Sequence, residues 1–304
     1  MDLTRYTLGI NTAFAVKRWP EPERWAALIA DLGVGSVQHT FDLVDLDAPP
    51  DLIASQAAAV RAACDKHGLR LHSTFTGLAA YSYNLLLHPD ERARERGEDW
   101  YRCAIDFTSR AGADLTGGHV GAFSVADWRD EGRRTALSQE LTSRLDRLTR
   151  YAHSQGLQGF LVENMAAARE PSTMEWIGRI VTQGDEHRAP VALCLDVGHQ
   201  CVPGTEGSDR DPYAWLERLG SVAPVVHLQQ TDESADHHWP FTEETNAVGR
   251  IRANDVLAAL GRSGAHDVQL VLEVVPPFEQ DDDEVMSGIA ASIAYWKDAL
   301  ERTA

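Results

Sequence analysis

Residues 191–201 read VALCLDVGHQC. Val191, Ala192, Leu193 and Leu195 suit a strand buried on both faces, as the strands of a parallel sheet are. Yet the run ends in a carboxylate, a glycine and an imidazole: Asp196, Gly198 and His199. A buried strand that delivers an acid and a histidine at its tip needs a reason, and the rest of the chain supplies one.

Seven further apolar or β-branched runs flank this one. They are TLGINTAF (7–14), GSVQHTF (35–41), LRLHSTF (69–75), ADLTGGHV (113–120), GFLVENM (159–165), PVVHLQQ (224–230) and VQLVLEV (268–274). Between them lie segments with apolar residues at i, i+3 and i+4, several ending at glycine as helices do: EPERWAALIADLG, DLIASQAAAVRAACDKHG, ALSQELTSRLDRLTRYAHSQG, DPYAWLERLG and ANDVLAALGRSG. TMEWIGRIVTQG follows the same pattern, and the last helix opens on a row of acids that complements its N-terminal dipole. Strand and helix in alternation predict right-handed βαβ units and a parallel sheet. Eight such units in 304 residues favour closure into a (β/α)8 TIM barrel. No GxGxxG follows the first strand, which disfavours a doubly wound dinucleotide fold. No linker divides the chain, so one domain is expected over residues 1–304. Two connections look longer than a barrel needs, 76–100 and 231–251, both on the face where strands end and sites are built.

Composition narrows the function. The chain is 43% hydrophobic and 24% charged, with 28 Lys+Arg against 46 Asp+Glu for a net charge of −18. Such a field repels nucleic acid and anionic membrane surfaces. Cys64, Cys103, Cys194 and Cys201 form no CxxC pair and read as reduced thiols. The opening MDLTRYTLGI has no signal-peptide pattern and no run approaches a membrane span, so a cytoplasmic enzyme is expected.

The last four strands end alike. Strand 5 stops at Glu163-Asn164, strand 6 at Asp196 with His199 beyond, strand 7 carries His227 followed by Gln229 and Gln230, and strand 8 carries Glu273. A barrel brings these ends to one rim. Three carboxylates close together repel and raise one another's pKa values, and a divalent cation relieves the conflict. Oxygen ligands with one imidazole suit Mn²⁺ foremost, with Mg²⁺ or Co²⁺ as alternatives. Glu163, Asp196, His227 and Glu273 are therefore the expected ligands, and His199 is expected to touch what the metal holds. His72 and His119 are further rim candidates, Asn11 and His39 weaker ones. Lys17 and Arg18 would anchor a phosphate, with His237 and His238 as alternatives. Trp239 and Phe241 could cover a sugar face, and Tyr81–Tyr83 could form a wall.

The pieces LVENM, CLDVGH, VVHLQQ and VLEV, in that order, resemble the xylose-isomerase-like TIM-barrel superfamily of sugar isomerases and epimerases. The nearest pattern is that of the ketose 3-epimerases. NTAFAVKRWP and HHWPFT further resemble a subgroup acting on tetrulose phosphates. The resemblance implies that Glu163, Asp196, His227 and Glu273 hold the metal and that His199 contacts substrate oxygens. It also implies that Glu163 and Glu273 exchange the proton of a metal-stabilised enediolate, inverting a carbon or moving a carbonyl. One departure stands out: the arginine such epimerases carry soon after the strand-7 histidine is absent, and 232–241 read DESADHHWPF. That keeps a lyase open as the alternative, an inosose dehydratase or a 3-oxo-glycoside C-deglycosidase, the latter with a partner subunit. The expected ligand is a small sugar or sugar phosphate, and homo-oligomers are common for such barrels.

Overall fold

The computed structural model describes residues 6–303. The N-terminal reading of residues 1–5 lies outside them. Eight strands form a closed parallel barrel in sequence order: Tyr6–Asn11 (β1), Ser36–Thr40 (β2), Arg70–Phe75 (β3), Leu115–Gly118 (β4), Gly159–Glu163 (β5), Val191–Asp196 (β6), Val225–Leu228 (β7) and Val268–Leu272 (β8). β1 closes the ring on β8, with Ile10 opposite Leu272. The strands are shorter than the sequence reading, mainly at their C-terminal ends, because there the backbone leaves the ladder to build the rim.

Helices wrap the outside. The principal ones are Pro22–Asp31 (α1), Pro50–His67 (α2), Glu91–Ala111 (α3), Val125–Arg129 (α4), Glu131–Ser154 (α5), Met174–Ile180 (α6), Pro212–Leu219 (α7), Glu243–Val248 (α8), Ala253–Ser263 (α9) and Asp282–Thr303 (α10). α3 corrects the expectation of one long loop over 76–100, since its first turns begin at Glu91. The inward face of its first turns carries Arg94 and Glu98 where an apolar stripe would be sought, and the apolar periodicity begins only at Tyr101, with Ala104, Ile105 and Ala111 beyond. These charges are met by α5: Arg144 Nη1 donates to Glu98 at 2.9 Å and Arg94 Nε to Glu140 at 2.9 Å. No helix among the described residues is long and apolar enough to cross a membrane.

Strand parity places the site. Inside the barrel lies a small plug of Phe75, Leu115, Leu161, Cys194, Val225 and Val271. Their alternate neighbours, such as Phe160, Val162, Leu193, Leu195, Val226, Leu270 and Leu272, face the helices in the larger core. Side chains alternate with period two, so the next inward positions after Leu161, Cys194, Val225 and Val271 are Glu163, Asp196, His227 and Glu273. The polar rim is thus the plug's next layer upward. Glycine makes room for the plug at Gly117, where φ is +152° and a Cβ would lie 1.9 Å from the Leu161 carbonyl oxygen.

Candidate metal centre

Each of the four inward residues divides its polar atoms between a protein partner and a common centre. Glu163 Oε2 accepts from the Tyr81 hydroxyl at 2.6 Å. Asp196 Oδ1 accepts from the backbone N–H groups of Gly198 at 2.7 Å and His199 at 2.9 Å, and from Gln229 Nε2 at 3.1 Å. His227 Nε2 meets Gln38 Oε1 at 2.6 Å, and Glu273 Oε1 accepts from Asn11 Nδ2 at 3.2 Å. Their other atoms, Glu163 Oε1, Asp196 Oδ2, His227 Nδ1 and Glu273 Oε2, are buried without a hydrogen bond of proper geometry, although they crowd one another: His227 Nδ1 lies 2.9 Å from Glu273 Oε2 and 3.5 Å from Glu163 Oε1. One ligand atom from each residue lies within 4.8 Å of the others. Buried polar atoms are almost always satisfied, so four orphans facing one another mark a place built for a cation. The residues fit a divalent ion with mixed oxygen and imidazole donors.

The opening motif is now explained. Asp196 does act as a turn residue through Oδ1, while Oδ2 faces the centre. Gly198 is needed because a Cβ there would lie 2.3 Å from Gln229 Cδ. His199 Nδ1 is tied to the Asn164 carbonyl at 2.7 Å and lies 4.0 Å from Glu163 Oε1. Beneath the centre, the Phe75 ring packs edge-on against His227 with centroids 4.7 Å apart.

Environment separates the two glutamates. Burial pushes the Glu163 carboxyl up, against the opposing pull of His227 and His199. Burial acts on Glu273 as well, but His227 and His238 outweigh it and hold that carboxyl below its usual range. Burial, then the charges of Glu163 and Glu273, keep the Tyr81 phenol well above its normal pKa, so it stays a donor.

The other expected site residues divide sharply. His238 joins the centre: its Nδ1 is 3.5 Å from Glu273 Oε2, and its backbone is held at φ 50°. Asn11 supports Glu273 and Gln38. His119 stands one layer back, stacked 5.0 Å from the Tyr81 ring. His72 falls at the irregularity in the β2–β3 register, between Leu71 opposite Val37 and Ser73 opposite Gln38, and its Nδ1 lies 3.2 Å from the Ser73 hydroxyl rather than at the four-residue centre. His39 faces outward, between the Trp25 and Phe107 rings. Lys17 is exposed, with Nζ 4.2 Å over the Phe278 ring, and Arg18 is committed to Asp282 and the Pro277 carbonyl. Trp239 stacks on His237 at 3.8 Å, and Phe241 is buried against Tyr295 and Trp296. Tyr83 is exposed.

Three contributors went unassigned from sequence: Gln38, Gln229 and Asp236. The signal for Gln38 was parity, since it pairs in register with Asn11; its neighbour His39 drew attention as the stronger chemical type. Asp236 sits in a loop without periodicity, yet it bridges His199 Nε2 at 3.1 Å and His238 Nε2 at 3.2 Å.

Comparison with known proteins agrees with this geometry. Residues 26–302 match the family model described as xylose isomerase-like TIM barrel. The chain is 29% identical over 297 residues to D-erythrulose 1-phosphate 3-epimerase of Brucella abortus (strain 2308), with 95% of each chain covered. It is 33% identical to a Rhodospirillum rubrum ATCC 11170 protein provisionally called a xylose isomerase, covering 97% of this chain and 99% of that one at a TM-score of 0.89. D-psicose 3-epimerase of Clostridium cellulolyticum H10 shares the fold at 14% identity, covering 97% and 99% with a TM-score of 0.71. Barrel, rim and sequence match converge: the chain belongs to the xylose isomerase-like TIM barrel family.

Proposed function

We propose that this chain, acting as one catalytic unit, is a divalent-metal-dependent epimerase of a ketose or ketose phosphate, a tetrulose phosphate foremost. The observation that carries the reading is the set of four unpartnered atoms on Glu163, Asp196, His227 and Glu273 that face one centre. Mn²⁺ is the ion these donors suit best, and when bound it would supply Lewis-acid polarisation of a ketone. The Brucella relative, an epimerase of a four-carbon ketose phosphate by name, supports the substrate class.

The chain's own residues do the rest. Glu163 and Glu273 stand three strands apart on the ring and flank Asp196 and His227. Tyr81 and Asn11 fix one oxygen of each glutamate and so aim the other at the centre. A carbon held between them, next to a carbonyl, loses its proton to one carboxylate and regains one from the other on the opposite face. That exchange inverts the carbon. His199, with Nδ1 fixed by Asn164, has its Nε2 on Asp236 and can turn it to substrate oxygens once that carboxylate is displaced.

The test is solvent-deuterium incorporation at the carbon next to the ketone of a tetrulose phosphate. Glu163→Gln and Glu273→Gln should each cut exchange by about 10²-fold or more, the size of a lost acid–base group. Exchange retained in both variants, or release of an elimination product by the wild type, would remove the proposal.

A further inference from the structure

The Asp236 carboxylate is gripped by nitrogen atoms of three residues. His199 Nε2 and His238 Nε2 approach Oδ2 at 3.1 and 3.2 Å, and Gln229 Nε2 donates to Oδ1 at 2.7 Å. Each of the three is independently positioned. His199 Nδ1 meets the Asn164 carbonyl at 2.7 Å, and His238 Nδ1 meets the Glu273 carbonyl at 3.3 Å. Gln229 Oε1 accepts the His238 backbone N–H at 2.8 Å, which turns its NH₂ inward. The cradle therefore belongs to the scaffold, and Asp236 merely fills it.

Exposure shows from which side it is filled. The His199 side chain is 3% exposed and His238 13%, but Asp236 is 31% exposed. The carboxylate enters from solvent, at the tip of a loop whose base is pinned by paired Gln230 and Trp239 backbone bonds of 2.9 Å. The cradle also adjoins the metal centre, because ligand atoms of Asp196, His199 and His238 lie within 4.8 Å of one another and Asp196 belongs to both groups. An ester phosphate one carbon from a chelated ketone reaches about that far.

An inward NH₂ group suits an anion and not a cation. The cradle's two imidazole Nε2 atoms are closed on Asp236. Of the cations expected to hold a phosphate, Arg18 is committed to Asp282 and the Pro277 carbonyl, while Lys17 is exposed with Nζ over the Phe278 ring. We infer that His199, Gln229 and His238 form the subsite for the substrate's phosphoryl group, and that Asp236 is an internal anion which this group displaces. The inference rests on the ketose-phosphate reading and assigns its specificity to the strand-7 loop, where the usual arginine is missing.

Inorganic phosphate is the probe, titrated calorimetrically into the metal-loaded protein. Asp236→Ala removes the internal competitor and should tighten phosphate binding at least tenfold, and Asp236→Asn, which keeps the side chain's size, should shift it the same way. Adding His238→Gln to Asp236→Ala should undo the gain, while Lys17→Ala should change nothing. Unchanged or weaker phosphate binding in both Asp236 variants overturns the inference. So does equilibrium dialysis that finds a second Mn²⁺ per wild-type chain, lost in Asp236→Ala. Binding is read without turnover, so a failure of proton exchange leaves the subsite standing. Exchange on free ketoses with phosphate binding indifferent to Asp236 would sink the subsite alone.

Discussion

Gln38 is a neutral amide on β2, yet its Oε1 takes the Asn11 amide at 2.7 Å and lies 2.6 Å from His227 Nε2. It thereby fixes which imidazole nitrogen is left to face the centre, the usual office of a partner behind a metal-ligating histidine. Gln38→Leu should weaken Mn²⁺ binding about 10–100-fold, as losses of such partners do; an unchanged affinity in a metal titration would contradict the assignment. His39, the next residue, makes the opposite case. Burial pushes its pKa from 6.5 down to about 3, so the unfolded chain takes up a proton first as pH falls. The packed neutral ring's contribution is complete above pH 6.5 and is lost progressively towards about 3. His39→Leu should therefore flatten the stability-versus-pH slope between pH 6 and 4 by about 1.4 kcal/mol per unit, read from urea midpoints. An identical slope would refute it. The pair shows what sequence discloses at this scale. Acids and a histidine on apolar strands announce themselves, but Gln38 and His39 differ only in parity, and chemical type pointed to the wrong one.

At the scale of elements, α3 and α5 are joined by charge. Glu98 accepts from Arg102, Arg144 and Arg147, while Arg144 and Arg94 share Glu140. Arg144 is 5% and Glu98 9% exposed, so removing Glu98 leaves a buried guanidinium with Glu140 as its remaining partner. Glu98→Leu should cost about 2 kcal/mol, the worth of a hydrogen bond to a charged group, and the double variant Glu98→Leu/Arg144→Leu should recover part of that loss. A double variant less stable than Glu98→Leu alone would show that the pair stabilises the fold directly. The same network explains why the first turns of α3 read as loop in the sequence: their inner face is Arg94 and Glu98, and the apolar stripe starts only at Tyr101. The short helices α4 and α8, the latter inside the connection 231–251, were not read either, being one to two turns long without a stripe, whereas α1, α2, α5, α6, α7, α9 and α10 were.

For the whole molecule, alternation of strand and helix made a parallel sheet legible, and eight repeats in 304 residues without a GxGxxG after the first strand favoured the closed barrel over an open doubly wound sheet. The four-residue centre was legible too, as closure must bring the ends of β5 to β8 together. The Asp236 cradle was not, because a loop's path depends on its anchors and carries no period. A chain with net charge −18 that buries three carboxylates at one point is organised around positive charge. The central claim is that one divalent cation sits among Glu163, Asp196, His227 and Glu273. An anomalous difference map collected at the manganese edge from a Mn²⁺-soaked crystal tests it directly. The account predicts one strong peak in contact with Glu163 Oε1, Asp196 Oδ2, His227 Nδ1 and Glu273 Oε2. No peak there, or a peak held instead by His199, Asp236 and His238, would contradict it.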